Sequence, residues 1–230
     1  MNLQHIDILD IVFQLIAFLF AISVHESSHA WMANLRGDPT ARMLGRISLN
    51  PIRHIDPIGT LLLPAVAMFF HVPVLGWAKP TPVDPRNFKN PMLDDILTAV
   101  VGPISNFVVA SGAVLILAFV KFVSPAGRQI VFGTLEGSDF ADTNSFLVPF
   151  CKLIFDLMLI NVVLGVFNLI PVPPLDGSHV LRHLLPAGIL RIYDTVGTFG
   201  LLLLVFWGGG LLVKLITPAV GLFIYILLRL

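Results

Sequence analysis

Two histidines, His25 and His29, lie four residues apart and flank a glutamate in the pattern His-Glu-x-x-His. On a helix this spacing projects both imidazoles from one face, where they can chelate a zinc ion. Glu26 between them is the residue type that acts as the general base of zinc proteases. The chain contains only two glutamates, Glu26 and Glu136, so a glutamate inside this motif weighs against coincidence.

The motif follows an apolar run, which is unusual for a metal site. Residues 11–24 include one clearly polar side chain, Gln14, and one small hydroxyl, Ser23. Ionisable groups at membrane depth cost roughly 2.5–3.5 kcal/mol each on insertion scales, and such groups usually serve a function. The sequence therefore predicts a zinc site inside a lipid bilayer.

The composition also predicts an integral membrane protein. Of the 230 residues, 56% are hydrophobic and 12% are charged, and the mean hydropathy is +0.89. Soluble domains carry about 25% charged residues. The net charge of zero gives no indication of a nucleic-acid partner. Cys151 is the single cysteine, which excludes an internal disulfide and a cysteine-based zinc site.

Several apolar stretches reach the roughly 20 residues that a membrane-spanning helix needs. Four qualify, at residues 8–35, 96–123, 146–170 and 196–230. The last is too long for one straight span and predicts either one broken helix or two short ones. A shorter run, residues 58–74, is interrupted by two prolines and a histidine and is interpreted as re-entrant or extended. The prediction is one all-α polytopic domain over residues 1–230, with about five to six transmembrane helices and this re-entrant or extended loop after the first.

The orientation follows from the basic residues of the loops. If residues 58–74 do not cross, the loops rich in lysine and arginine all fall on one side of the membrane. These residues are Arg36, Arg42, Arg46, Arg53, Lys79, Arg86, Lys89, Arg182 and Arg191. The positive-inside rule makes that side cytoplasmic. The His-Glu-x-x-His end of the first helix is then expected to face the cytoplasm.

A catalytic zinc site normally has three protein ligands, so a third is required. Asp176 is the best candidate because it follows the third span on the predicted side of the motif. Nearby prolines break the helix, and Gly177 lets the backbone bend beside the carboxylate. His179 is the second candidate; His54, His71 and His183 are weaker rivals.

Four motifs together resemble the site-2 protease family of intramembrane zinc metalloproteases. They are HESSH at 25–29, NPIRHIDPIG at 50–59, GPISN at 102–106 and NLIPVPPLDG at 168–177, in the order of that family. The match is to its compact bacterial and archaeal members, without the PDZ or CBS domains of some relatives.

The resemblance implies that His25, His29 and Asp176 bind one zinc ion and that Glu26 activates the attacking water. It implies that Asn168 helps to hold the substrate or the oxyanion. Expected partners are transmembrane protein substrates, the lipid bilayer and an unidentified regulatory membrane partner. The expected location is the inner membrane of a prokaryotic cell.

Other interpretations remain open. A metal transporter or sensor could use the same three ligands without needing Glu26, and a non-catalytic scaffold could bind membrane helices. Asn168 could instead make an interhelical hydrogen bond, the interpretation preferred for Asn106 and Asn161. Residues 76–83 are either an extended edge for strand addition or a proline-stiffened loop. Lys152 and Asp156, four residues apart, are expected to pair.

Overall fold

The computed structural model describes residues 8–62, 77–137 and 145–230, which form helices and connecting loops. The helices are α1 (Ile8–Arg36), α2 (Thr40–Met43), α3 (Pro91–Val123), α4 (Pro125–Glu136), α5 (Leu147–Asn168), α6 (Gly177–Arg182), α7 (Ala187–Phe206) and α8 (Gly209–Arg229). Short 3-10 turns cover Pro51–Arg53 and Pro85–Asn87, and a π-helical turn covers Pro57–Leu62.

Four of the described helices, α1, α3, α5 and α8, are long and apolar enough to cross a membrane. Helix α7 is bent by 47° between Ala187–Gly197 and Phe199–Phe206 and counts as a fifth if it is one broken span. The predicted all-α polytopic membrane class is confirmed. Of the predicted re-entrant run, residues 63–74 lie outside the described residues.

Some helix boundaries differ from the predictions. Helix α3 begins at Pro91, five residues early, because proline suits the first position of a helix. The stretch 124–145, which connects the predicted spans 96–123 and 146–170, contains helix α4. The Ser124 side chain caps the start of α4, and the left-handed Gly137 ends it. The last apolar stretch forms two helices that break at Trp207 and Gly208.

Helices α1, α3 and α5 pack against one another, and α4 and α8 pack against α3 and α5. An apolar cluster fills the half of this bundle that contains the end of α3 and the start of α5. Its largest fully buried members are Leu117, Val131, Met158, Val162 and Leu227. The start of α3 and the end of α5 lie in the other half, beside the motif of α1.

The predicted pairing of Lys152 with Asp156 is wrong. Lys152 forms its salt bridge with Asp10 of α1, because the start of α1 packs beside α5 and presents a more accessible carboxylate. Asp156 is buried, and its Oδ2 accepts no hydrogen bond from the described residues.

Candidate metal centre

Three side chains meet where α1 faces the start of α6. His25 and His29 come from consecutive turns of α1, and Asp176 directly precedes α6. The two histidine Nε2 atoms are 3.0 Å apart, and Asp176 Oδ2 lies 3.1 Å from Nε2 of His25 and 3.4 Å from Nε2 of His29. The fold thus brings the first-ranked third ligand, Asp176, to both histidines.

The other ring nitrogen of each histidine determines where its proton resides. His25 Nδ1 lies 2.6 Å from Asn106 Oδ1, and His29 Nδ1 lies 2.6 Å from the carbonyl oxygen of Thr98. Both partners are acceptors, so each Nδ1 must donate a hydrogen. In the neutral imidazoles, each Nε2 therefore presents a lone pair toward the other and toward Asp176.

This arrangement fits a zinc ion. Three electron-pair donors converge in a buried place, and Asp176 Oδ2 accepts no hydrogen bond among the described residues. Zinc bonds of about 2.0–2.1 Å in a tetrahedron place neighbouring ligand atoms about 3.3 Å apart. The observed separations of 3.0–3.4 Å match that spacing. A bound cation would remove the repulsion among the three donors.

Two glycines make the close approach possible. A Cβ on Gly102 of α3 would overlap the ring of His29, so only glycine lets α3 pack this tightly against the motif. A Cβ on Gly177 would overlap the Leu169 carbonyl. Gly177 is therefore required for space and not for a left-handed backbone, because its φ is not positive.

Glu26 lines the same cavity as the three donors, which has a volume of about 630 Å³. Its Oε2 accepts hydrogen bonds from the backbone N–H of Thr81 at 3.0 Å and from the Thr81 hydroxyl at 2.8 Å. Thr81 lies in segment 77–84, which has neither helix nor strand and includes the described part of the stretch predicted either as an edge for strand addition or as a proline-stiffened loop.

Asn168 is the last residue of α5 and also lines the cavity. Its Nδ2 donates to Leu164 O of its own helix at 3.1 Å, so one amide hydrogen is used locally. The alternative of an interhelical bond has no counterpart among the described contacts. The second amide hydrogen can be directed into the cavity.

The rival histidines have other partners. His179 Nδ1 donates to both oxygens of Asp95 at 3.1 Å, and His183 Nε2 lies 2.8 Å from the same carboxylate. The hydrogen bond to Asp95 raises the pKa of His179, although burial acts in the opposite direction. His54 is buried, with Nε2 2.8 Å from Ser48 O, and His71 lies outside the described residues.

Three site contacts were missed by the sequence reasoning, those of Asn106 with His25, of Thr98 with His29 and of Thr81 with Glu26. Asn106 was expected to make only an interhelical bond; its Nδ2 does donate to Asn161 Oδ1 at 2.8 Å, but its oxygen also orients the ring of His25. The GPISN motif was the available signal. The contact of Thr81 with Glu26 joins residues 55 positions apart, and the sequence carries no local signal for it.

Comparison with known proteins agrees with this geometry. The sequence model of peptidase family M50 matches residues 13–206. A protein of Bacillus subtilis (strain 168), named "Putative zinc metalloprotease YwhC", is 36% identical over 190 residues, which cover 80% of this chain and 74% of that protein. No solved structure gives a significant match. The chain therefore belongs to peptidase family M50, the site-2 protease family of zinc metalloproteases.

Proposed function

We propose that this protein hydrolyses peptide bonds within or near transmembrane segments of other proteins, using one zinc ion held by His25, His29 and Asp176. The observation that carries the proposal is the convergence of three lone-pair donors at 3.0–3.4 Å in a cavity that Glu26 also lines. Membership of a peptidase family favours hydrolysis over a transporter, a sensor or a scaffold.

Each residue has a distinct task in this reaction. A zinc ion held by His25, His29 and Asp176 would supply a Lewis acid that polarises the scissile carbonyl and makes water more acidic. Glu26 takes a proton from the attacking water and later gives it to the leaving amine. Asn168 donates its remaining amide hydrogen to the carbonyl oxygen as that oxygen gains negative charge.

The walls of the cavity support an apolar substrate. Its lining includes apolar side chains of three helices that carry long apolar stretches: Phe18 and Ile22 of α1, Leu164 and Phe167 of α5, and Leu201 and Val205 of α7. Such walls suit the side chains of a membrane-spanning segment, while the polar residues at the metal end suit an unwound peptide bond.

The active site is proposed to face the cytoplasm from within the cell membrane. Exposed cationic side chains follow the motif end of α1, including Arg42 and Arg53. Their position agrees with the positive-inside rule for the cytoplasmic side.

The experiment compares wild type with Glu26→Gln in liposomes. Zinc content and cleavage of a panel of transmembrane segments are measured for both. We expect equal zinc in both and cleavage by wild type alone, because glutamine cannot accept the proton. Glu136→Gln changes the other glutamate, exposed at the end of α4, and serves as the matched control. Zinc in every variant with cleavage in none, or cleavage by Glu26→Gln, would contradict the proposal.

A further inference from the structure

The carboxylate of Glu26 is held by a residue from a different part of the chain. Thr81 reaches Glu26 from the loop segment 77–84 and contacts it at three points. Its backbone N–H and its hydroxyl lie 3.0 and 2.8 Å from Oε2, and the hydroxyl is also 3.0 Å from the Glu26 carbonyl oxygen. A single residue therefore contacts both the backbone and the side chain of Glu26.

The three contacts do not have equal weight. A hydroxyl has one hydrogen, so it donates to one acceptor at a time. The carboxylate oxygen is closer and charged, and charge-assisted hydrogen bonds are the stronger kind. Oε2 thus accepts two hydrogen bonds from Thr81, whereas no residue of 8–62, 77–137 and 145–230 donates a hydrogen bond to Oε1.

The segment that carries Thr81 is itself anchored. Its start is tied by the Thr60 hydroxyl, which donates to Trp77 O at 2.8 Å. Its end is tied by the Asp84 N–H, which donates to the buried Asp38 carboxylate at 2.8 Å. Pro80 and Pro82 flank Thr81 and restrict the backbone on both sides. Thr81 is therefore presented to Glu26 from a constrained backbone.

We propose that Thr81 is the positioning residue of the general base: it fixes Oε2 of Glu26 and leaves Oε1 as the proton acceptor. A free glutamate side chain samples many rotamers, and fixing it removes the orientational cost from the catalytic step. This inference rests on the proposed function, because it assumes that Glu26 is the base.

The direct test replaces Thr81 with valine, which keeps the shape and the backbone N–H but removes the hydroxyl. We expect kcat to fall at least about tenfold, the typical effect of losing a hydrogen bond to a charged group. KM is expected to stay within about twofold, because valine keeps the size of a side chain that lines the cavity. Zinc content is expected to stay unchanged, because no metal ligand is altered. Thr81→Ser restores the hydroxyl and should recover most of kcat.

Thr60→Val is the matched control. It removes a hydroxyl that anchors the same segment but does not touch Glu26. We expect its kcat to stay within about twofold of wild type. Loss of kcat equal to that of Thr81→Val would overturn the proposal, because loosening of the segment would then explain both.

Three further results would also overturn it: unchanged kcat in Thr81→Val, failure of Thr81→Ser to recover activity, or loss of zinc from Thr81→Val. In each of these cases the proposed function would still stand if wild type cleaves the substrate and Glu26→Gln does not. The two failures are therefore distinguishable.

Discussion

The two halves of the helical bundle share α3 and α5 but are held together by different interactions. The metal half contains His25, His29 and Asp176. There α3 presents Gly102 and Asn106 to α1, and the contacts are hydrogen bonds between buried polar groups. In the apolar half, the same face of α3 presents Ala110, Ala113 and Leu117, which pack against α5 and α8. A change of residue type along one helix face thus separates a reactive site from a structural core.

The difference has an energetic consequence. Polar groups at membrane depth need partners, so the metal half depends on each hydrogen bond being made. The apolar half depends on close packing, and its side chains carry no chemistry. Substitutions in the metal half should therefore change zinc binding and turnover, whereas substitutions in the apolar half should change stability.

The largest effect is expected from Asp176→Ala. Loss of a residue that only orients a metal ligand lowers affinity or activity by up to about 100-fold. Removing Asp176, a proposed ligand itself, should therefore lower zinc affinity and cleavage by more than about 100-fold. Metal analysis and cleavage assays measure the effect. The control Asp156→Asn changes a buried aspartate outside the metal half, and this variant should retain the zinc content of wild type. Equal zinc content in Asp176→Ala and wild type would contradict the assignment of zinc binding to the metal half.

A smaller effect is expected from Asn106→Leu, which removes the acceptor that fixes the ring of His25. Zinc affinity should fall about 10–100-fold because the imidazole loses its orientation. A competition titration with a chelator measures the change. Asn161→Leu removes only the partner of Asn106 and should have a weaker effect. The reverse order of the two variants would be inconsistent with the proposed role of Asn106.

Leu117→Ala tests the apolar half. Leu117 is 1% exposed, and its truncation should lower the free energy of unfolding by about 2–5 kcal/mol. Zinc content and kcat of the folded fraction should remain those of wild type. Thermal or denaturant unfolding in detergent measures the first effect. A parallel loss of zinc affinity would show that the two halves are not separable.

The smallest effect is expected at the surface. Arg86 is 88% exposed and pairs with Asp84 at 2.7 Å. Solvent screens such a pair, so Arg86→Ala should leave the melting temperature, zinc content and kcat unchanged within error. A clear loss of activity would assign this exposed face a role that neither half accounts for.

The predictable parts of the site are those with a local pattern. His25, Glu26 and His29 follow from helical spacing, and Asp176 follows from its position after an apolar span with nearby prolines. The contacts of Thr98 and Thr81 were not predictable, because a backbone carbonyl and a distant loop residue leave no spacing signal. Helix α4 was missed because its twelve residues are too few for a span and follow a predicted one directly.

Zinc X-ray absorption spectroscopy on the wild-type protein tests whether His25, His29 and Asp176 are the zinc ligands. We expect a four-coordinate site formed by two imidazoles, one carboxylate and a water, with nitrogen or oxygen distances near 2.0–2.1 Å from zinc. The same spectrum is expected from His183→Gln, which changes a histidine that does not face the three donors. A site with three imidazoles would contradict the account, because a further histidine such as His179 would then replace Asp176 as the third ligand.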